Sequence, residues 1–317
     1  MLFQIFLLVL GIGLLILGAQ SLVLGGSSVA KRLRVSSIVI GLTIVAFGTS
    51  TPELVVNILS AINGATDLAV ANVVGSNLAN ILLILGVGAS IHALKVKQGT
   101  TYKEIPLALL AVALVAIVGN DIFFGSGTIN TIGRIDGIVF LCFFIIFMYY
   151  TVGISKKHEG DTEVKKYSWL MSIGMVAAGI GLLTLGGKWI VESAIFLATA
   201  AGISQALIGI TIVAVGTSLP ELVTTIVAVK KGQDDLAIGN VIGSNIFNVF
   251  WILGVSSIIQ PLPVSAAAHI DILATIGATC LLFLFMFIHK KHTLERWQGV
   301  TFVLLYIAYV AYLIHRG

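Results

Sequence analysis

One segment occurs twice in this chain, and each copy sets a carboxylate inside a long apolar run. Gly48-Thr49-Ser50-Thr51-Pro52-Glu53 is followed by Gly75-Ser76-Asn77-Leu78-Ala79-Asn80. Gly216-Thr217-Ser218-Leu219-Pro220-Glu221 is followed by Gly243-Ser244-Asn245-Ile246-Phe247-Asn248, every residue 168 positions after its partner without a gap. An ionisable side chain at bilayer depth costs about 2.5–3.5 kcal/mol or more and by default marks a functional site. A doubled site of this kind reads as an ion pathway.

The rest of the composition agrees with a bilayer as solvent. Hydrophobic residues make up 58% and charged residues 10%, against about 25% charged in soluble domains. The 34 glycines suit closely packed transmembrane helices. Spans need about 20 mainly apolar residues, and ten are expected: 2–26, 36–62, 68–93, 105–119, 136–153, 168–192, 204–229, 236–260, 269–288 and 298–315. The first is too long and too continuously apolar for a signal peptide. Cys142 and Cys280 fall in apolar runs and are expected to be small core residues. No stretch is long enough for a soluble domain.

The net charge of +4 invites a nucleic-acid reading, but the basic residues are topological. Of the 18 Lys and Arg, all but Arg134, Lys188 and Arg316 fall in alternate connections. By the positive-inside rule those connections are cytoplasmic and both termini extracytoplasmic. The longest hydrophilic connection divides the chain into a first five-span repeat (1–154), a cytoplasmic linker (155–167) and a second five-span repeat (168–317).

Similarity between the halves extends past the doubled segment. Gly11-Ile12-Gly13-Leu14-Leu15 recurs as Gly179-Ile180-Gly181-Leu182-Leu183, and Gly137 to Tyr150 resembles Gly299 to Tyr312 at an offset of 162. An odd number of spans per repeat turns the second copy upside down, and inverted repeats with a midplane site are a transporter architecture. The fold expected is therefore an all-α membrane protein of ten transmembrane helices, two inverted five-helix repeats with broken helices at the ion site. The glycine-rich faces of spans 1 and 6 (Gly11, Gly13, Gly18; Gly179, Gly181, Gly186) are expected to slide over the ion-binding core.

Proline lacks an N–H and clashes with the preceding turn, so the spans should break before Pro52 and Pro220. Carbonyls around Ala46–Thr49 and Ala214–Thr217 are then freed, which is tolerated at this depth only inside protein or along a cavity. With the Ser50 and Ser218 hydroxyls and the Glu53 and Glu221 carboxylates they form an all-oxygen set, as hard cations such as calcium require. Ser76, Asn80, Ser244 and Asn248 add neutral oxygens. Asn72, Asn77, Asn240 and Asn245 are expected to fasten the broken helices together. An ordinary capped helix start also reads Ser/Thr-x-Pro-Glu, but Leu219 is a poor cap and the segment occurs twice. Lys188 and Glu192 have the spacing of a helical ion pair, and Asp234 with Asp235 reads as a solvated turn. The histidines show no recurring metal spacing, and no His-Glu-x-x-His or Gly-x-Ser-x-Gly run supports an enzyme.

Gly-Thr-Ser-x-Pro-Glu paired with Gly-Ser-Asn-x-x-Asn, duplicated in a ten-span chain, resembles the prokaryotic sodium/calcium exchangers of the cation/calcium exchanger superfamily. The resemblance implies a core of spans 2, 3, 7 and 8, with spans 1 and 6 moving across it. It implies that Glu53 and Glu221 bind calcium with the main-chain oxygens of Thr49 and Thr217. Sodium would draw on Ser50, Ser76 and the Ala46 carbonyl, and on Ser218, Ser244 and the Ala214 carbonyl, with Asn80 and Asn248 flanking the middle. Some relatives carry aspartate at the position of Asn248; asparagine here removes the basis for a potassium requirement. Proton/calcium antiporters of the superfamily usually show Gly-Asn-x-x-Glu instead. The expected function is electrogenic, potassium-independent exchange of three sodium ions for one calcium in the plasma (inner) membrane, with no cofactor, no nucleic acid and no obligate protein partner. A calcium/proton antiporter using the same glutamates and a cation channel are the alternatives.

Overall fold

The structure is a computed structural model describing residues 1–64, 66–125, 127–155, 166–201 and 216–316. In order, the main helices are α1 (Leu2–Leu33), α2 (Ser37–Thr49), α3 (Thr51–Ile62), α4 (Ala69–Ile91), α5 (Gln98–Val118), α6 (Arg134–Ile154), α7 (Trp169–Ala200), α8 (Leu219–Lys230), α9 (Asp234–Ile259), α10 (Ala266–Phe285) and α11 (Arg296–Arg316). Among the described residues eight helices are long and apolar enough to cross a membrane, and α2 with α3, bent by 48°, makes nine if the pair is one broken span. The span expected at 204–229 begins outside the described residues, and α8 is its described end.

Burial sorts the helices into a centre and a rim. In the apolar windows of α4 and α9, 72% and 78% of residues are buried, against 22% in α1, α6 and α11. Rim helices turn apolar side chains such as Leu17, Ile145 and Leu304 outward, as a lipid solvent permits. Cys142 is exposed, on the outer face of α6 and not in the core as its apolar run implied. An apolar run in lipid does not separate the two faces of a helix.

α1 and α7 run antiparallel and touch along their length through glycine. A Cβ on Gly18 would lie 2.9 Å from the Leu183 nitrogen, and one on Gly186 would lie 2.8 Å from the Gly11 carbonyl oxygen. Ser21 donates to the Met175 carbonyl at 2.8 Å, and the Ser28 and Ser172 hydroxyls meet at 2.8 Å. The glycine faces therefore meet each other and do not lie on the core. Gly13 and Gly181 belong to neither face, for a Cβ added at either would meet no other part of the protein within 4 Å. Toward the core, α7 presents side chains: Ile180 packs over Gly48 and Val191 over Gly216.

Contacts between the halves recur with the halves exchanged. α4 packs on α11 at Gly86 and Gly299, and α9 on α6 at Gly254 and Gly137. Two short antiparallel ladders repeat the exchange: β1 (Leu94–Lys95) pairs with β4 (Thr293–Leu294), and β2 (Thr131–Ile132) with β3 (Leu262–Pro263). Asp234 and Asp235 open α9 instead of forming a solvated turn. Asp234 accepts from the Lys95 N–H at 3.0 Å, and Asp235 pairs with Lys97 at 2.5 Å. The dipole at a helix start favours acids, so both are drawn into a cross-half contact.

Candidate functional site

The breaks fall where the two prolines require them. Ser50 (φ −82°, ψ 8°) and Ser218 (φ −88°, ψ 5°) leave helical geometry, and Pro52 and Pro220 sit in the first turns of α3 and α8. Having no N–H, they leave the Gly48 and Gly216 carbonyls without their helical donors. The Ala46 carbonyl, expected to be free, is bonded: the Ser50 N–H donates to it at 2.9 Å and the Thr49 hydroxyl at 3.3 Å. Helix α2 continues to Thr49, so the bond from Ser50 back to Ala46 survives. Ala214 lies outside the described residues.

Glu53 and Glu221 are both fully buried. Ser50, from the first half, donates to Glu221 Oε1 at 3.0 Å; Ser76 donates to Glu53 Oε1 at 3.5 Å and meets the Ser218 hydroxyl at 3.1 Å. The second oxygen of each glutamate, Oε2, has no hydrogen-bond partner, and neither have Asn80 Oδ1, Asn248 Oδ1, Ser244 Oγ and Thr217 Oγ1. Unpartnered buried polar atoms cost about 1–3 kcal/mol each. Two pairs among them, Glu53 with Glu221 and Asn80 with Asn248, are related by the duplication, which marks a set of oxygens arranged for something else.

Asparagines brace this cluster across the halves. Asn77 donates to the Asn245 carbonyl at 3.1 Å, and Asn245 to the Asn77 carbonyl at 3.3 Å. Asn80 donates to Asn245 Oδ1 at 2.9 Å, and Asn248 to Asn77 Oδ1 at 3.0 Å. With the amide nitrogens spent on the brace, the Asn80 and Asn248 carbonyl oxygens are left unbonded. Asn240 ties Thr49 (3.0 Å) to Thr225 (3.1 Å). Asn72 does not share in the fastening expected of it, for its amide nitrogen has no partner. From Asn80 and from Asn248 the backbone winds as π-helix, over Asn80–Leu85 and Asn248–Leu253, a distortion frequent at functional sites.

The electrostatics narrow the occupant. Neither glutamate has an ion pair, and no group of three or more His, Cys, Asp or Glu occurs among the described residues. A set of carboxylate, amide and hydroxyl oxygens suits a hard cation, whereas transition metals favour nitrogen and sulfur. Lys188 and Glu192 stand apart as an exposed pair 3.8 Å long. Sequence reasoning missed Asn57 and Thr225, which follow the two glutamates by four residues and so share their helix faces. Both are fully buried, and neither side-chain atom of Asn57 is bonded. That i+4 spacing was the available signal.

The model of the sodium/calcium exchanger protein family matches residues 3–153 and 171–315. The putative antiporter CaxA of Alkalimonas amylolytica is 36% identical, covering 89% of this chain and 90% of its own. The sodium/calcium exchanger MaX1 of Methanosarcina acetivorans is 32% identical over 91% of this chain and 92% of its own. The structure of the sodium-calcium exchanger NCX_Mj, soaked with sodium and strontium, superposes with a TM-score of 0.85 at 33% identity, over 98% of each chain.

Proposed function

The chain belongs to the sodium/calcium exchanger protein family, and from that premise we propose that it exchanges sodium for calcium by alternating access. It is an integral, multi-pass membrane exchanger of cations and calcium, and the reading of its site is ours. One observation carries that reading: two buried carboxylates, one from each half, each keep an oxygen unbonded, as do the buried Asn80 and Asn248 side-chain carbonyls. A divalent cation meeting Glu53 Oε2 and Glu221 Oε2 is neutralised by the pair. Main-chain oxygens of Thr49 and Thr217 complete its shell. Ser50, Ser76, Ser218 and Ser244, with the Ala46 and Ala214 carbonyls, serve the sodium ions; at Ala46 this requires the Thr49 hydroxyl to turn away.

Ten spans arranged as two inverted repeats, joined by a cytoplasmic linker, give the frame, with both termini outside the plasma (inner) membrane. The exchanged contacts between halves and the antiparallel α1 and α7 support it. Because their glycine faces meet, α1 and α7 move as one unit over the core, gliding on Ile180 and Val191.

Charge decides the electrical behaviour. Two glutamates and one calcium sum to zero; with three sodium ions the same core carries one positive charge. That charge crossing the field is worth about 2.3 kcal/mol per 100 mV, so an inside-negative potential drives sodium in and calcium out. Potassium takes no part. The test is calcium-45 flux in proteoliposomes with sodium, potassium or protons as the sole opposing gradient, at potentials clamped with a potassium ionophore. Sodium should drive flux with a voltage-dependent reversal point. Proton-driven flux alone would assign the protein to calcium/proton antiport, and flux needing no counter-ion would make it a channel.

A further inference from the structure

The start of α5 carries a further buried carboxylate, outside the proposed ion site. Glu104 is 2% exposed. Its Oε1 accepts a hydrogen bond from the Tyr150 hydroxyl of α6, and its Oε2 has no partner. It lines a cleft of about 350 Å³ with Ser36, Lys97, Lys103, Tyr150 and Ile154. The Lys103 ammonium lies 5.9 Å from the Tyr150 ring centre, and Lys97 reaches Asp235.

The second half shows what this carboxylate lacks. There an acid one residue out of strict register, Asp271 of α10, takes both bonds of a guanidinium: Arg316 Nη1 to Oδ1 at 3.0 Å and Nη2 to Oδ2 at 3.3 Å. Tyr312 and Arg316 stand 162 positions after Tyr150 and Ile154, the offset that relates α6 to α11. The tyrosine is common to both ends. The arginine is not, and Ile154 borders the cleft in its place.

We infer that the Glu104 cleft binds a phospholipid whose headgroup carries a primary ammonium, of the phosphatidylethanolamine class. The ammonium supplies the donors that Arg316 supplies to Asp271. Lys103 and the spare donors of Lys97 face the phosphate. The glycerol and acyl chains leave past Ile38 and Ile154, the cleft's apolar wall, toward the lipid side of α6, where Tyr149 and Val152 are exposed. The acidic floor disfavours an anionic headgroup. A choline headgroup, with its nitrogen methylated, has no N–H to give.

Native mass spectrometry of the purified full chain, delipidated and offered phosphatidylethanolamine, phosphatidylcholine and phosphatidylglycerol of matched acyl chains, tests this. The unmodified protein should retain phosphatidylethanolamine at least about tenfold over phosphatidylcholine, the ratio one charge-assisted hydrogen bond supports. Glu104→Gln, which keeps an acceptor for Tyr150, and Ile154→Arg, which restores the missing guanidinium, should each bring the ratio close to one. Lys103→Ala should weaken all three lipids and leave the preference in place. Equal retention of the ethanolamine and choline lipids by the unmodified protein overturns the inference, as does preference for phosphatidylglycerol. An undiminished preference in Glu104→Gln does the same. Glycerophosphoethanolamine added as competitor separates headgroup capture from lipid capture: displacement of the bound lipid at equal concentration would overturn the lipid assignment.

Discussion

The seam between α1 and α7 should respond to a single methyl group in a position-dependent way. Replacing Gly18 by alanine puts a Cβ 2.9 Å from the Leu183 nitrogen and 3.0 Å from both the Gly179 carbonyl oxygen and Leu182 Cβ. At Gly186 the added carbon meets the Gly11 oxygen at 2.8 Å and the Leu15 nitrogen at 3.0 Å. Ordinary contact needs roughly 0.5 Å more, and the obstacles are mainly backbone, so the helices must part. Overpacking of this kind costs about 1–3 kcal/mol per site. Gly13 and Gly181, on the same helices, have nothing within 4 Å; alanine there should be neutral or gain up to about 1 kcal/mol from helix propensity. Thermal unfolding in detergent is the assay. Gly18→Ala and Gly186→Ala should unfold several degrees lower, while Gly13→Ala and Gly181→Ala should match the parent or exceed it. Since α1 and α7 are read as one moving unit, turnover per folded molecule should change little in all four. Equal destabilisation at Gly13 and Gly18 would refute the packing argument. Normal stability with slowed turnover at Gly18 would refute the rigid pair.

Glu53→Gln and Glu221→Gln should each abolish calcium exchange while the protein stays folded and monodisperse in gel filtration. A unit-charge pair at 4 Å is worth on the order of 4 kcal/mol at an effective dielectric of 20, and a carboxylate facing a divalent ion about twice that, so the loss in binding should be at least about a thousandfold; near-normal exchange by either variant would remove that glutamate from the site. Asn248→Asp should move the voltage-dependent step, because a third carboxylate leaves the calcium-loaded core negative and the sodium-loaded core neutral. Calcium self-exchange, insensitive to potential in the parent, should become sensitive in the variant, and its remaining insensitive would break the charge count.

The doubled segment makes the gathering of its side chains legible in the sequence. Prolines, glutamates and small polar residues at one offset leave few ways to fold, and Ser50, Ser76, Ser218, Glu53 and Glu221 come together in the structure. Less legible was the partner of each side chain. Gly11, Gly13 and Gly18 look alike in sequence, but only Gly11 and Gly18 face α7; which of them do depends on the rotation of a neighbour 168 residues away. The Ala46 carbonyl turned on where the helix breaks, at Ser50 and not a residue or two earlier, which proline alone does not fix. Of the four asparagines expected as fasteners, Asn77, Asn240 and Asn245 bond between segments and Asn72 does not, while Asn80 and Asn248, expected to supply oxygens, also fasten. Each spends its nitrogen on the opposite half and keeps its oxygen buried and unbonded.

That double use joins the two copies of the motif to each other. Asn77 bonds the Asn245 main chain and Asn245 bonds the Asn77 main chain, so the two copies of the motif close on each other across a shared axis. An axis of this kind forces like groups into pairs, and charges are the groups that suffer most from it. Two buried carboxylates with no protein cation between them are unfavourable unless a bound cation or a proton offsets their charge. Away from the axis the halves have diverged, as the exchange of Arg316 for Ile154 shows, because no such pairing constrains them. At the motif, Glu53 and Glu221 remain matched, both fully buried and each with an unbonded oxygen, which is the arrangement the proposed exchange of mobile cations needs.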